Sequence, residues 1–237
     1  MSSKTFLNAA AACLMAAVCS GGRPQGQPLA GHWKLDEASG ATSFADASGN
    51  GNQGACGSAC PGTGVPGRVG KGAAFNNGQI TIPDSPRLRL NQLTIALWVY
   101  PTQVKADFQP LVAKEDSLGN KRNYGLFIAP NSRQLRYAVW AGDCETKFAA
   151  TSSGQLTLNT WNHVAFTYDG VTEKLYLNGV LDSSNKAPSG TLCQAAVPVQ
   201  IGKETSAFQP FSGTLDEVQI YSQALSAASV SSLSKRK

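Results

Sequence analysis

Outside the N-terminal segment, the longest apolar run is Leu93–Tyr100 (LTIALWVY), apolar on both parities and rich in branched and aromatic residues. No 3.6-residue period runs through it. That pattern predicts a central strand buried on both faces. Further runs of strand type follow at Asn123–Ile128, Gln134–Trp140, Trp161–Tyr168, Lys174–Leu177 and Thr214–Tyr221, separated at short intervals by turn residues. In QLRYAVW the alternation sorts the residues: Leu135, Tyr137 and Val139 take the core parity, leaving Gln134, Arg136, Ala138 and Trp140 on the wetter face. LYLNGVLD reads as a hairpin in which Asn178 and Gly179 supply the two positive φ angles of a type I′ turn. Only Leu225–Leu233 predicts a helix, short and terminal. Many short antiparallel strands, Gly-rich turns and no internal repeat predict an all-β fold: an antiparallel two-sheet sandwich or jelly roll.

Composition agrees with that picture. The 237 residues are 42% hydrophobic and only 15% charged, which excludes disorder and suits one sandwich domain. The net charge of +5 is spread thinly, with Lys235, Arg236 and Lys237 the only basic cluster, so no nucleic-acid footprint is present. Lys4 precedes the mostly apolar run Thr5 to Val18, with Ser20, Gly21 and Gly22 behind it. This predicts a secretory signal peptide over residues 1–20, a linker to about residue 28 and the folded domain over 29–237. A lipid anchor at Cys19 is the alternative, disfavoured by Val18, which is bulkier than the residue normally found before a lipidated cysteine. The N-terminal run is too short to span a bilayer and no later run is longer, so no transmembrane span and an extracellular or cell-surface location are expected.

Cysteine usage fits that compartment. After the presumed signal four remain, Cys56, Cys60, Cys144 and Cys193, which allow three connectivities. Cys56 and Cys60 share a Gly-rich loop, while Cys144 and Cys193 both close apolar runs, so Cys56–Cys60 and Cys144–Cys193 is the economical pairing. Zinc is the alternative, with only His32 and His163 to complete a site.

The ordered set HWKLDEASG, DASGNGNQG, LTIALWVYP, NYGLFI, WNHVAFTYDG, LYLNGVL and GTLDEVQIYSQALS resembles the laminin-G-like, concanavalin A-like jelly-roll family of secreted bacterial proteins. The resemblance covers about residues 30 to 233. It implies the fold strongly and the function weakly, since lectins, adhesion modules, glycosidases and lyases share it.

Candidate chemistry falls in three places. DASGNGNQG sets Asp46, Ser48, Asn50 and Asn52 among glycines, a composition suited to calcium, or to a turn that bonds its own backbone. The family resemblance implies a structural calcium on the convex side, held by Asp216 of GTLDEVQIY with backbone oxygens from the N-terminal region, where composition offers Asp46 and Asn50 as side-chain ligands. For a sugar, Trp140 offers a stacking plate beside Arg136, with Asp143 in the following turn, and Asn123, Tyr124 and Lys114 join them if their strands are neighbours. The alternative is that Trp140 fills the space between sheets. Trp98 and Trp161 are expected in the core, and His163 as a hydrogen-bonded structural residue.

For catalysis, the ExDxxE of the related glucanases and the motifs of the alginate lyases are missing. The acidic pairs Asp36–Glu37, Glu115–Asp116 and Asp216–Glu217 have adjacent members, which point to opposite faces of a strand. The expected function is therefore a secreted, non-catalytic module that binds carbohydrate or another surface ligand in adhesion. Two alternatives stand behind it: a structural or adhesive protein of the envelope or extracellular matrix, and a polysaccharide hydrolase or lyase of the same fold.

Overall fold

A computed structural model describes residues 28–116, 121–187, 190–204 and 208–237. The expected signal peptide lies outside the described residues. The first eight strands are β1 (Leu29–Trp33), β2 (Ser43–Phe44), β3 (Gly54–Ala55), β4 (Gly62–Pro66), β5 (Lys71–Asn76), β6 (Ile80–Ile82), β7 (Leu93–Pro101) and β8 (Gln109–Asp116). They continue with β9 (Lys121–Ile128), β10 (Leu135–Trp140), β11 (Lys147–Thr151), β12 (Asn162–Tyr168), β13 (Thr172–Leu177), β14 (Val180–Lys186), β15 (Val199–Ile201) and β16 (Ser212–Tyr221). One short helix, α1 (Ala227–Leu233), follows.

These strands make two antiparallel sheets. The first runs β14-β13-β12-β7-β16-β5-β4, with β1 also paired to β16; the second runs β11-β10-β9-β8-β15-β6-β3-β2. Their inner faces form one core, to which β7 contributes Leu93, Ile95, Leu97 and Val99, β10 contributes Leu135, Tyr137 and Val139, and β12 contributes Val164, Phe166 and Tyr168. The other parity of β7 is buried too, because α1 covers that side: Ala96 and Ala165 pack with Val230 and Leu233. The helix begins at Ser226, whose hydroxyl accepts the N–H of Ser229. Asn178 and Gly179 both adopt positive φ, as a type I′ turn between β13 and β14 requires.

Both expected disulfides are present, Cys56–Cys60 and Cys144–Cys193. Two tryptophans depart from expectation. Trp98 is buried, but on the outer face of the first sheet, because Leu97 and Val99 take the inward parity; it lies under the Arg68 guanidinium at 4.7 Å and against the His163 ring at 5.1 Å. Trp161 precedes β12, half-buried and edge-on to Tyr100 at 5.6 Å. The tryptophan between the sheets is Trp33, fully buried, whose indole N–H donates to the Asn52 carbonyl at 2.8 Å.

Candidate functional site

Four strands of the second sheet bring small residues into one cross-strand row. Ala113 of β8 pairs with Gly125 of β9, Gly125 with Ala138 of β10, and Ala138 with Ala149 of β11. Side chains on one face of a sheet stand side by side at such pairs, so a row of small residues leaves a trough. Larger residues flank it. Arg136 pairs with Phe127 on one side and Trp140 with Lys147 on the other. Gly125 matters most here: a Cβ on it would lie 2.4 Å from the Phe127 ring, which uses the vacant space.

The result is a shallow concavity of about 50 Å³, open to solvent, on the outer face of this sheet. Phe108, Phe127, Trp140 and Phe208 supply its aromatic walls, and Arg122, Arg136, Lys147 and Glu115 its charged groups. Trp140 is only 5% exposed, packed on Ala138, Phe127 and the Cys144–Cys193 bridge, and the Arg122 guanidinium sits over its ring at 5.7 Å. The Arg136 guanidinium lies over Phe108 at 5.5 Å. Behind Glu115 lies buried Glu204. Burial, then the charge and hydrogen bond of Glu204, push the Glu115 carboxyl up to about 8, against the opposing pull of Arg122 and Lys147.

The expected sugar residues divide. The parity assigned to Arg136 and Trp140 matches this face, although Trp140 is a wall packed from behind and not an exposed plate. Asp143 does not line the concavity; its carboxylate caps its own exposed turn, accepting the N–H groups of Glu145 and Thr146 at 2.9 Å each. Tyr124 faces the core and donates its hydroxyl to the Leu88 carbonyl at 2.9 Å. Lys114, paired with Tyr124, is wholly buried and ion-paired to Asp84 at 2.6 Å. Asn123 is the extra residue of a β-bulge, skipped between the Lys114–Tyr124 and Glu115–Arg122 pairs, and donates to the Ala195 carbonyl at 3.2 Å. Phe108, Arg122, Phe127, Lys147 and Glu204 went unrecognised. The alternation of Gly125 with Phe127, and of Lys147 with Ala149, carried a signal for two of the strands.

The expected calcium ligands also separate. Asp46 accepts the N–H groups of His32, Ser48 and Asn52, and Asn50 turns its amide nitrogen to the Leu29 and Ala30 carbonyls, so this loop is a self-bonded turn. Neither residue fits a cation well. Asp216 fits better: Oδ2 accepts the N–H groups of Arg68 and Val69 at 2.7 Å each, while buried Oδ1 has no hydrogen-bond partner. Burial pushes this carboxyl up to about 7. Among the described residues no three His, Cys, Asp or Glu side chains cluster.

On the outer face of the first sheet, His163 is buried, its Nδ1 without a hydrogen-bond partner. Burial and the nearby Arg236 charge lower it to about 4, so it is a neutral packing residue instead of the hydrogen-bonded one expected. Its neighbour Glu217 is held by His32 at 2.9 Å and by the Gln219 amide at 3.1 Å.

Two stacked antiparallel sheets in this order define a jelly-roll sandwich. The chain belongs to the concanavalin A-like lectin/glucanases superfamily, whose family model matches residues 74–231. No curated protein sequence matches it. Among solved structures it is similar to domain 4 of AbnA, an extracellular GH43 arabinanase of Geobacillus stearothermophilus, in complex with arabinotriose. The TM-score is 0.68 at 23% identity, over 88% of this chain and 99% of that one. It is also similar to the binding domain of Paraclostridial Mosquitocidal Protein 1, at TM-score 0.71 and 18% identity, covering 87% of this chain and 52% of that one. A third is Trypanosoma rangeli sialidase in complex with the inhibitor DANA, at TM-score 0.63 and 19% identity, over 86% of this chain and 32% of that one. The chain thus spans nearly all of the arabinanase domain but about half of the toxin binding domain and a third of the sialidase.

Proposed function

We propose that the protein is a non-catalytic saccharide-binding module that works outside the cytoplasm. The observation that carries this reading is the trough of small residues between aromatic walls and hydrogen-bonding cations. Sugar rings present C–H faces that pack on aromatic rings and hydroxyls that bond to charged groups, and such a concavity offers both. The arabinotriose seen with the arabinanase domain adds support by likeness of fold. The non-catalytic part rests on the carboxyl groups. Glycosidases set two carboxyls about 5 to 9.5 Å apart across the scissile bond, whereas Glu115 and Glu204 hydrogen-bond to each other and leave no room for one. Two disulfides support an oxidising compartment.

Gly125→Val tests the site. The new side chain fills the trough floor and displaces Phe127, so saccharide binding on an oligosaccharide array should be lost while the protein stays folded by circular dichroism. Unchanged array binding by the folded variant would remove the trough from the account. Release of reducing or unsaturated ends from any polysaccharide would replace the binding role with a catalytic one.

A further inference from the structure

We infer that the trough selects acidic saccharides, those carrying carboxylate or sulfate groups on their rings. This rests on the saccharide reading above and adds the class of ligand. The argument starts from the inventory of donors and acceptors. Arg122, Arg136 and Lys147 line the concavity and have only donors to offer. The acceptor among the lining charges is Glu115, hydrogen-bonded to Glu204 and holding a proton at neutral pH because burial and Glu204 raise it. Three cations therefore line the trough beside a single carboxyl whose burial favours its neutral form. A neutral sugar needs acceptors for its hydroxyl protons as much as donors for its lone pairs, and the trough supplies few. An acidic sugar brings the acceptors itself.

The placement of the cations fits that ligand. Each guanidinium lies on an aromatic ring, Arg122 on Trp140 and Arg136 on Phe108, which holds the planar fork in position for an oxyanion. Among the described residues Arg136 and Lys147 form no ion pair, and Arg122 reaches Glu115 only at 4.0 Å. Arg136 and Trp140 stand four residues apart on β10, about 13 Å along the strand, so the charges occupy both ends of the trough floor. That spacing suits an oligomer with acidic groups on successive rings.

The test is calorimetric titration of the whole protein with three probes of equal length: an oligogalacturonate, a sulfated oligosaccharide and a neutral arabino-oligosaccharide. At least one acidic probe should bind about tenfold or more tightly than the neutral one, with an advantage that shrinks as salt rises; which acidic probe wins tells carboxylate from sulfate. Arg136→Gln and Lys147→Gln should each lower acidic binding about tenfold, the size of one charge-assisted hydrogen bond, and lower neutral binding by less, without changing melting. Neutral binding equal to acidic, sensitive to Gly125→Val, would overturn the selectivity and keep the saccharide reading. An acidic preference that survives in the Arg136→Gln, Lys147→Gln double variant would place it elsewhere on the basic surface and overturn the inference. Binding of none of the probes, nor of any glycan on the array, would overturn both readings.

Discussion

Trp140→Ala separates a wall of a binding site from a residue of the core. Trp140 is 5% exposed and packs on Phe127, Ala138 and the Cys144–Cys193 bridge, so its removal takes a large apolar surface out of a packed cluster. Truncating a fully enclosed Trp to Ala costs about 3 to 5 kcal/mol, of which part is the cavity left behind. Here the vacated space opens onto the solvent-filled trough, so water refills it and the cavity contribution shrinks. Loss of the partly exposed Arg122 contact returns about 0.5 to 1 kcal/mol to the cost. The expected total is about 2 to 3 kcal/mol, a fall in melting temperature of roughly 5 to 10 °C for a domain of this size. Trp33→Ala is the control, because Trp33 is fully buried between the sheets and holds the Asn52 carbonyl; it should cost more, about 3 to 5 kcal/mol plus the unpaired carbonyl. Scanning calorimetry on both variants, with saccharide titration of each at a temperature where both are folded, reads the two effects together. Trp140→Ala should abolish binding and Trp33→Ala should preserve it. A melting loss for Trp140→Ala equal to that of the control, with binding retained, would refute the assignment of Trp140 to the trough wall.

Three further outcomes are expected. Removing Cys144–Cys193, which closes a separation of 49 residues, should cost about 4 kcal/mol by loop entropy, and removing Cys56–Cys60, with a separation of 4, about half that; denaturant melts of the two double-serine variants check the order. If calcium occupies the Asp216 position, chelation in metal-free buffer should lower the melting temperature, and Asp216→Ala should abolish that response; identical melting with and without chelator would remove calcium. Glu115 has a raised folded-state pKa, so its stabilising contribution is complete below about pH 4.5 and fades as pH rises through about 8. Glu115→Gln should flatten that part of the melting-versus-pH curve, and a curve parallel to that of the unaltered protein would count against the raised value.

Alternation made much of the sandwich legible. QLRYAVW divides as read, with Leu135, Tyr137 and Val139 inward and Arg136, Ala138 and Trp140 outward. The double apolarity of Leu93–Tyr100 also had a readable cause, a second cover, which the terminal helix provides. β8 was not legible. Its sequence QPLVAKED carries a proline and charged residues, which argue against a buried strand, yet it lies inside the second sheet with Lys114 and Glu115 buried. A lysine there is tolerable because its ammonium group donates to the Asp84 carboxylate, thirty residues away in sequence, and to the Val197 carbonyl. Glu204 reaches Glu115 from farther still. Such partners are set by topology, and no local pattern announces them.

The bulge at Asn123 shows how closely the site depends on register. Without the extra residue, the alternation that places Gly125 and Phe127 on the trough face would put Asn123 there and Arg122 on the core side. With it, Arg122 pairs with Glu115 on the trough face while Tyr124 stays inward. A slip of one residue in β9 would exchange the two faces: Tyr124 would stand on the floor between Ala113 and Ala138, and Gly125 would leave a hole in the core. The buried Tyr124 hydroxyl, bonded to Leu88, opposes that slip, because moving it would strand a polar group or empty its place. The small residues of the trough floor are therefore held in line by the large ones on the opposite face, Tyr124, Leu126 and Ile128.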